Sequence, residues 1–343
     1  MSLDATLAPM RVTVREARAL VDAAMRVVGH TPEDAGTIAD HLIDCELRGV
    51  SYGGLSRALS IADRVRRTGV SRTPLRIVKE TPVSASVDGG DRIGYVVAHH
   101  AMTLAIQKAL TGGIAIVGAH NTWYTGMLSY YAEMAAAEGL VSIIASNASP
   151  WVAPHGASEG RFGTNPICVG FPSTDEPVIW DIGTSAIMHA EVALARLLGQ
   201  PLPEGVAFDS AGRATRDPVA AVGGAFTAWG GHKGSGLGEV VQLLGVLAGS
   251  PALPPELAGF GMVIIAIQPD LLTSAEDFRK SVADYAESVR NARPIAGGPP
   301  VRMPFDRSRA ERQRRLAEDA IDVSDAVHAR LTGIVSAPED RGE

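Results

Sequence analysis

Four stretches of the sequence concentrate side chains able to bind anions or move protons. The first is Leu47-Arg48-Gly49-Val50-Ser51-Tyr52-Gly53-Gly54-Leu55-Ser56-Arg57. The second is Asn121-Thr122-Trp123-Tyr124-Thr125-Gly126, followed by Tyr130-Tyr131. The third runs through Ala153-Pro154-His155-Gly156, Gly163-Thr164-Asn165-Pro166 and Asp181-Ile182-Gly183-Thr184-Ser185. The fourth is Gly230-Gly231-His232-Lys233-Gly234-Ser235-Gly236-Leu237. A guanidinium fork matches a carboxylate, and a phenol keeps its proton to about pH 10. The dinucleotide fingerprint G-x-G-x-x-G, placed after a strand and opening a helix, is absent. The glycines at 234, 236 and 238 do not follow a strand. Residue types alone therefore lead to an α/β enzyme with its cofactor unspecified. Plain structural roles stand beside the chemical ones: a surface lysine for Lys233, a turn after a strand for Asp181, a structural turn for Gly163–Pro166.

The elements that must position these residues begin as helices. Val14 to Val28 repeats apolar residues at helical spacing. Thr31-Pro32-Glu33-Asp34 is a helix start, with an N-cap, proline at the first position and acids in the first turn. That helix is expected to reach Leu47, and another to span Leu55 to Arg67. From about Pro74 the period changes. Val83 to Val87 alternates like a strand and meets a turn at Asp88-Gly89-Gly90. Further strands are expected at Gly113–Gly118, Leu140–Ser146, Ile167–Phe171, Val178–Asp181 and Met262–Ile267. Helices are expected at Ile93–Leu110, Ser129–Glu138, Ala190–Leu198, Leu237–Leu247 and Ala275–Arg290. Val301 to Pro304 reads as extended, and Arg309 to Leu331 as one or two charged helices. Alternating strands and helices make the class α/β. The expected organisation is a helical N-terminal segment (1–73), a central α/β region (74–300), a C-terminal segment packing back on the core (301–335), and a polar, disordered tail (336–343).

The chain has 343 residues, 46% of them hydrophobic and 20% charged, enough for a sizeable core. The net charge of −7, with no block of Lys or Arg, argues against nucleic acid as a partner. Two cysteines, Cys45 and Cys168, make no disulfide framework and fit a reducing compartment. No signal-peptide pattern opens the chain, and no apolar run approaches the ~20 residues of a membrane helix. The expectation is a cytoplasmic protein that contacts no membrane; no metal site is read.

In order and spacing, the four stretches resemble the malate/L-lactate dehydrogenase superfamily, which includes ureidoglycolate, sulfolactate and diketogulonate dehydrogenases and piperideine-carboxylate reductases. The resemblance covers about Val14 to Leu331. Pro201-Leu202-Pro203-x-Gly205 and Thr215-x-Asp217-Pro218 match between the larger motifs. It implies a non-Rossmann α/β fold, a homodimer with its sites at the subunit interface, and NADH or NADPH held by the central region. By position, Thr164, Asn165, Asp181, Ile182, Gly183, Thr184, Ser185 and His189 line the cofactor. Lys233 and Gly234 meet its phosphates, and Pro304, Phe305 and Asp306 lie near it where the family has P-G-E. Hydroxyls and backbone N–H groups suit a pyrophosphate, lysine adds a point charge, and glycine permits close approach. On the substrate side the resemblance implies roles for Arg48, Tyr52 and Arg57, the last binding a carboxylate.

The departures from the family are as informative. In the pattern R-G-x-x-S-H-G-x-x-R the histidine position holds Gly53 and the serine before it is Tyr52. In N-S-x-H-F-G the histidine position holds Tyr124. Glu191 replaces a common basic residue. A ketone reduced by hydride becomes an alkoxide that needs a proton or strong donors. Tyr124 is then the candidate acid, helped by a cation such as Arg57 or His120. A protonated imine carries its own proton and needs no acid as hydride arrives. The first expectation is therefore NAD(P)H-dependent reduction of a C=N, such as a cyclic imine or enamine, or of a C=O next to a carboxylate on a specialised small molecule. The alternatives are a conventional 2-hydroxy-acid dehydrogenase using Tyr124, and a catalytically silent NAD(P)-binding protein.

Overall fold

The computed structural model describes Met10–Ser336. In chain order its elements are β1 (Met10–Val12), α1 (Val14–Val27), α2 (Pro32–Leu47), α3 (Leu55–Thr68), β2 (Arg76–Thr81), β3 (Ser84–Ile93), α4 (Gly94–Gly112), β4 (Ile114–Trp123), α5 (Leu128–Ala137), β5 (Val141–Ser146), β6 (Ile167–Phe171) and β7 (Val178–Ile182). They continue as α6 (His189–Leu198), β8 (Ala207–Phe208), α7 (Pro218–Val222), β9 (Ala225–Phe226), α8 (His232–Leu247), β10 (Phe260–Ile267), α9 (Ala275–Arg290), α10 (Asp306–Glu318), β11 (Ile321–Val323) and α11 (Asp325–Ser336). Two compact units result: 10–70 with 307–336, and 71–306. The residues read from the sequence as a separate segment, 301–335, are thus divided at the start of α10. Of the stretch read as a disordered tail, Ser336 closes α11, and the rest lies outside the described residues.

The smaller unit is helical because its caps and apolar faces agree. Thr13 accepts from the Glu16 amide while the Glu16 carboxylate accepts from the Thr13 amide, a reciprocal cap. Thr31 caps α2 through the Asp34 amide. Val21, Met25, Ile38, Leu42, Leu55, Ile61 and Leu331 are buried from these helices. A short antiparallel ladder, Met10↔Val323 to Val12↔Ile321, ties the two ends of the chain within this unit.

The larger unit is built on a seven-stranded sheet of order β2-β3-β4-β10-β5-β6-β7. Only β3 and β4 are parallel, joined through α4 as a crossover unit; the other pairs are antiparallel. On one face Ala98, Ala101, Ala105 and Ala109 of α4, and Leu128, Tyr131 and Ala135 of α5, pack on Val87, Val117, Ile144 and Ile264. Small residues on α4 let the helix lie close to the strands. On the other face α8 crosses β10 and β5. A Cβ on Gly118 would lie 3.3 Å from Ala248 Cα, and one on Gly261 would lie 2.5 Å from the Gly245 carbonyl oxygen. These glycines set how near that helix sits.

Several elements differ from the sequence reading; β4, for one, continues past the expected Gly118 to Trp123. β2 was not expected, because all six of its residues are exposed and carry no apolar alternation. β3 continues past the expected turn to Ile93, with its pairing to β4 interrupted between Asp88 and Arg92. α8 starts at His232 rather than Leu237, since glycines at 234, 236 and 238 mask the helical period.

Candidate active site

Because β4 and β5 both run antiparallel to β10, and β7 is antiparallel to β6, the strands β3, β4, β5 and β7 all point one way. Their carboxyl ends share one edge of the sheet, where ligands of open α/β sheets generally bind. That edge gathers Asp88–Ile93, Asn121–Gly126, Ser146-Asn147 and Ile182–Ser185. The returning strand β6 contributes Thr164 and Asn165, which precede it. Four non-glycine residues of this edge hold left-handed backbone: Asp91 (φ 57°), Asn121 (φ 55°), Tyr124 (φ 51°) and Asn165 (φ 37°). Such conformations cost about 1–3 kcal/mol each and concentrate at functional sites.

Tyr124 is buried, with its ring 5.4 Å from that of Trp123. Its segment is held firmly. Thr122 Oγ1 donates to the Arg92 carbonyl (2.7 Å), Trp123 Nε1 to the Asp91 carbonyl (3.1 Å), Thr125 Oγ1 to Ser146 Oγ (3.0 Å), and the Tyr131 hydroxyl to the Thr125 carbonyl (2.9 Å). Asn121 Nδ2 donates to Asp88 Oδ1 at 2.9 Å. The Arg76 guanidinium beside Asp88, then the Gly90 amide and Asn121, hold that carboxyl down at about 2. His120, a sequence candidate for assisting Tyr124, lies under the end of α8, where a Cβ on Gly249 would be 3.0 Å from its ring.

Asp181 accepts from the Ser129 amide at 2.7 Å and so caps the N-terminus of α5. Burial pushes its carboxyl up to about 6 against the opposing pull of the Ser129 and Leu128 amides. Beyond it, Thr184 donates both its amide (2.9 Å) and its hydroxyl (3.3 Å) to the Thr164 carbonyl, and accepts from the Trp229 amide (2.9 Å). A side chain on Gly183 would strike Met188 Sδ at 2.5 Å. Ser185 bridges to Ala228, and its hydroxyl reaches Met188 Sδ at 3.6 Å.

Asn165, fully buried, donates to the Gly238 carbonyl (2.7 Å) and to Gln242 Oε1 (2.9 Å), and accepts from the Ala148 amide (3.2 Å). Its side chain is spent on fastening this turn to α8. Asn165 and Thr184, read from the sequence as lining the cofactor, hold their segments to Gly238, Gln242 and Thr164 through these bonds. That reading missed Gln242, whose signal was weak: one polar residue inside an apolar helix.

The start of α8 lies beside Thr184. Gly230 (φ 64°) and Gly231 (φ 61°) turn the chain into the helix, and no side chain caps it. A Cβ on Gly234 would lie 1.6 Å from the Trp229 carbonyl oxygen, so only glycine fits. Lys233 is exposed in this first turn, which corrects its reading as a loop residue. Free first-turn N–H groups, close backbone approach and a lysine fit a phosphate. His155 and His232 approach with ring centroids 6.1 Å apart, and the His155 amide donates to Ser235 Oγ at 3.0 Å.

His189 opens α6 and stacks on Trp151 at 4.1 Å and 18°. Glu191, read as the replacement of a basic residue, accepts from the Met188 amide at 2.8 Å and starts the same helix. Asp306 is held bidentately by Arg290 (2.8 and 2.9 Å) and accepts from the Met303 amide (3.0 Å), so its carboxylate folds the 303–306 segment. Phe305, at a family glycine position, keeps a glycine-like φ of 76° and packs against the main core.

In the other unit, Tyr52 sits in a tight turn (Ser51–Gly53) and Arg57 is buried in the first turn of α3. Arg48 is buried and donates to Asp44 at 2.6 Å; Asp44 also meets Arg312 at 2.7 Å. That pairing anchors Arg48, a substrate-side candidate of the sequence reading, within α2. The sequence reading missed Glu46. Its carboxylate accepts from the Leu55 amide at 2.7 Å, and burial pushes it up to about 7. A Cβ on Gly54 would overlap it at 2.3 Å, so Gly54 leaves room for the carboxylate that starts α3. No group of three or more potential metal ligands occurs among the described residues, and no helix among them is long and apolar enough to cross a membrane.

Residues 12–332 match the family model described as malate/L-lactate dehydrogenase. The chain is 31% identical to the L-sulfolactate dehydrogenase of Methanothermobacter thermautotrophicus, covering 95% of this chain and 96% of that one. It superposes on a dehydrogenase from Sinorhizobium meliloti with a TM-score of 0.88, at 31% identity, over 95% of this chain and 98% of that one. It also superposes on the delta1-piperideine-2-carboxylate reductase of Pseudomonas syringae with a TM-score of 0.82, at 28% identity, over 95% and 99% of the two chains.

Proposed function

Because the chain belongs to the malate/L-lactate dehydrogenase family and is an NAD(P)-dependent oxidoreductase, we propose that it reduces the C=N of a small cyclic imine or enamine bearing a carboxylate. Bound reduced nicotinamide supplies the hydride. The first turn of α8, with Lys233 and Gly234, holds the phosphates, and the backbone of Ile182 to Ser185 lines the same cleft. Asn165 and Thr184 keep these segments in register, and Asp181 fixes α5 beside them. His189, on its Trp151 platform, flanks the cofactor, as does the Pro304–Phe305 backbone. Arg57 binds the substrate carboxylate as a guanidinium fork, with Tyr52 beside it. The proposed assembly is a homodimer.

One observation carries the choice of substrate: both family histidine positions are empty of imidazole, at Gly53 and Tyr124. A protonated imine accepts hydride at carbon and becomes a neutral amine, with no general acid in the step. A 2-oxo acid needs an acid, and only the Tyr124 phenol stands at the inherited position. A phenol with an ordinary value near 10 is a weak acid at neutral pH.

The test is NAD(P)H oxidation followed with delta1-piperideine-2-carboxylate and with a panel of 2-oxo acids, in wild type and Tyr124→Phe. For imine reduction the substitution costs less than about tenfold, and the rate falls as pH rises through the imine's own pKa. A loss of about 10²–10⁴ in kcat on the preferred substrate, the usual weight of a general acid, would replace this reading with 2-oxo-acid reduction. Cofactor binding with no turnover of either class would leave a silent NAD(P)-binding protein.

A further inference from the structure

The start of α3 is capped from a distance. Its N-cap position is Gly54, which has no side chain to offer, and the Glu46 carboxylate on α2, nine residues upstream, accepts from the Leu55 amide at 2.7 Å instead. α2 also supports the turn before α3. A Cβ on Gly53 would lie 3.4 Å from Cys45 Sγ, and one on Gly54 would lie 2.3 Å from Glu46 Oε1. The turn is tied to the helix it feeds. The Gly54 amide (3.2 Å) and the Ser56 hydroxyl (2.9 Å) both donate to the Ser51 carbonyl, and the Arg57 amide donates to the Gly54 carbonyl (2.9 Å). Whatever holds Leu55 therefore also holds Tyr52 and Arg57.

Glu46 is an unusual residue for that task. It is 3% exposed, and its second oxygen, Oε2, is buried with no hydrogen-bond partner among the described residues. An ionised carboxylate is costly in such a place, and a neutral carboxyl much less so. Burial accordingly pushes the group up to about 7, against the opposing pull of the Leu55 amide and Arg315. The charged side chains around it are engaged with other groups. Arg315 of α10 meets the Glu46 carbonyl (2.8 Å) and Glu311 (2.6 Å), and Asp44 of α2 meets Arg48 (2.6 Å) and Arg312 (2.7 Å). Arg57 of α3, just past the same turn, is buried as well.

We propose that Glu46 is a positioning residue for substrate binding: while protonated it holds the 51–54 turn against α2, so that Arg57 and Tyr52 are aimed at the substrate carboxylate, and its ionisation releases them. An ionised Oε2 has to be hydrated, so the turn lifts from α2 and the guanidinium fork loses its alignment. The inference rests on the role proposed above for Arg57. It is indifferent to whether the bond reduced is C=N or C=O.

Hydrogen–deuterium exchange of the full chain at pH 6 and pH 8, corrected for intrinsic rates, tests the hold on the turn. Between these values the protonated fraction of a group titrating near 7 falls about tenfold. Protection of amides 51–57 is expected to fall by about that factor in wild type, and that of 14–27 to stay level. In Glu46→Gln, whose side-chain amide keeps the acceptor for Leu55 and stands in for the protonated acid, 51–57 is expected to stay level too. The ratio of wild-type to Glu46→Gln KM cancels the substrate's own titration, so either substrate class of the previous test serves. It is expected near 1 at pH 6 and near ten at pH 8, with the ratio of kcat unchanged. Equal protection at both pH values in wild type, or the same fall in Glu46→Gln, overturns the proposal, and the wild-type profile alone decides should the variant misfold. A KM ratio that stays near 1 while protection falls leaves Glu46 a helix cap and overturns its hold on the substrate. Exchange needs no turnover, so failure of the redox reading leaves that result standing.

Discussion

Lys233→Ala separates a ligand-binding role from a structural one. Lys233 is exposed and lies in the first turn of a helix that no side chain caps. Truncating it removes no buried contact, so the melting temperature is expected to stay within about 1 °C, as for ordinary surface substitutions. A hydrogen bond to a charged group contributes about 1.5–3 kcal/mol, and solvent screening puts an exposed lysine at the lower end. About 1.5 kcal/mol corresponds to roughly a tenfold rise in the Kd for NAD(P)H, and the effect shrinks as salt is raised. Gly234→Ala is the structural counterpart. Its new Cβ would lie 1.6 Å from a carbonyl oxygen that no rotamer change can move. The turn must shift by more than an ångström, at a cost of about 1–3 kcal/mol, and both the melting temperature and the affinity fall. Titration of NAD(P)H fluorescence at two ionic strengths, with thermal melts of both variants, gives the answer. A salt-independent, wild-type Kd in Lys233→Ala would refute the placement of phosphate at this helix.

Asn165→Ala removes three buried hydrogen bonds; at about 1 kcal/mol each the melting temperature is expected to drop by roughly 6–10 °C, and an unchanged melt would show that the turn is held by other contacts. Glu46 keeps its proton to about pH 7 in the folded chain, above the usual value near 4.5. The folded state therefore binds the extra proton, and the contribution of Glu46 to stability is greatest below about pH 4.5 and is lost as pH rises through about 7. Glu46→Gln retains the acceptor for the Leu55 amide and should flatten that decline in denaturant titrations from pH 5 to 8; the same slope in the variant would place the proton elsewhere. Arg57→Lys is expected to raise KM for a carboxylate substrate several-fold by losing the fork, whereas intact kcat/KM in both Arg57→Lys and Arg57→Ala would remove Arg57 from the site.

Elements with strong local signals were legible in the sequence. Thr31-Pro32 marked the start of α2 within a residue, and the apolar runs at Leu140–Ser146 and Met262–Ile267 located β5 and β10. The start of α8 was hidden because glycines chosen for close packing against Trp229, Phe162 and Asn147 have no side chain to carry a period. β2 was hidden because its exposed residues give no alternation. At the candidate site, the motifs picked out Thr164, Asp181, Thr184 and Lys233, whose segments the fold brings near one edge of the sheet. They did not show what each side chain is bonded to, since that depends on which group it meets across a gap of 73 or 77 residues, as Asn165 does. Glu46 escaped notice for the same reason: its partner, the Leu55 amide, is fixed by the fold of a turn rather than by spacing.

The placement of β10 has a consequence for how the chain acquires its shape. β4 and β5 leave the ribosome in quick succession, yet neither pairs with the other; both wait for residues 260–267, more than a hundred positions later. Such non-local pairing is slow, because the closure entropy of a long loop precedes its reward. Until β10 arrives, the nascent chain carries two half-sheets, β2-β3-β4 and β5-β6-β7, each with an unpaired apolar edge of the kind that templates aggregation. A chain cut short anywhere between residues 147 and 259 would keep both edges open permanently.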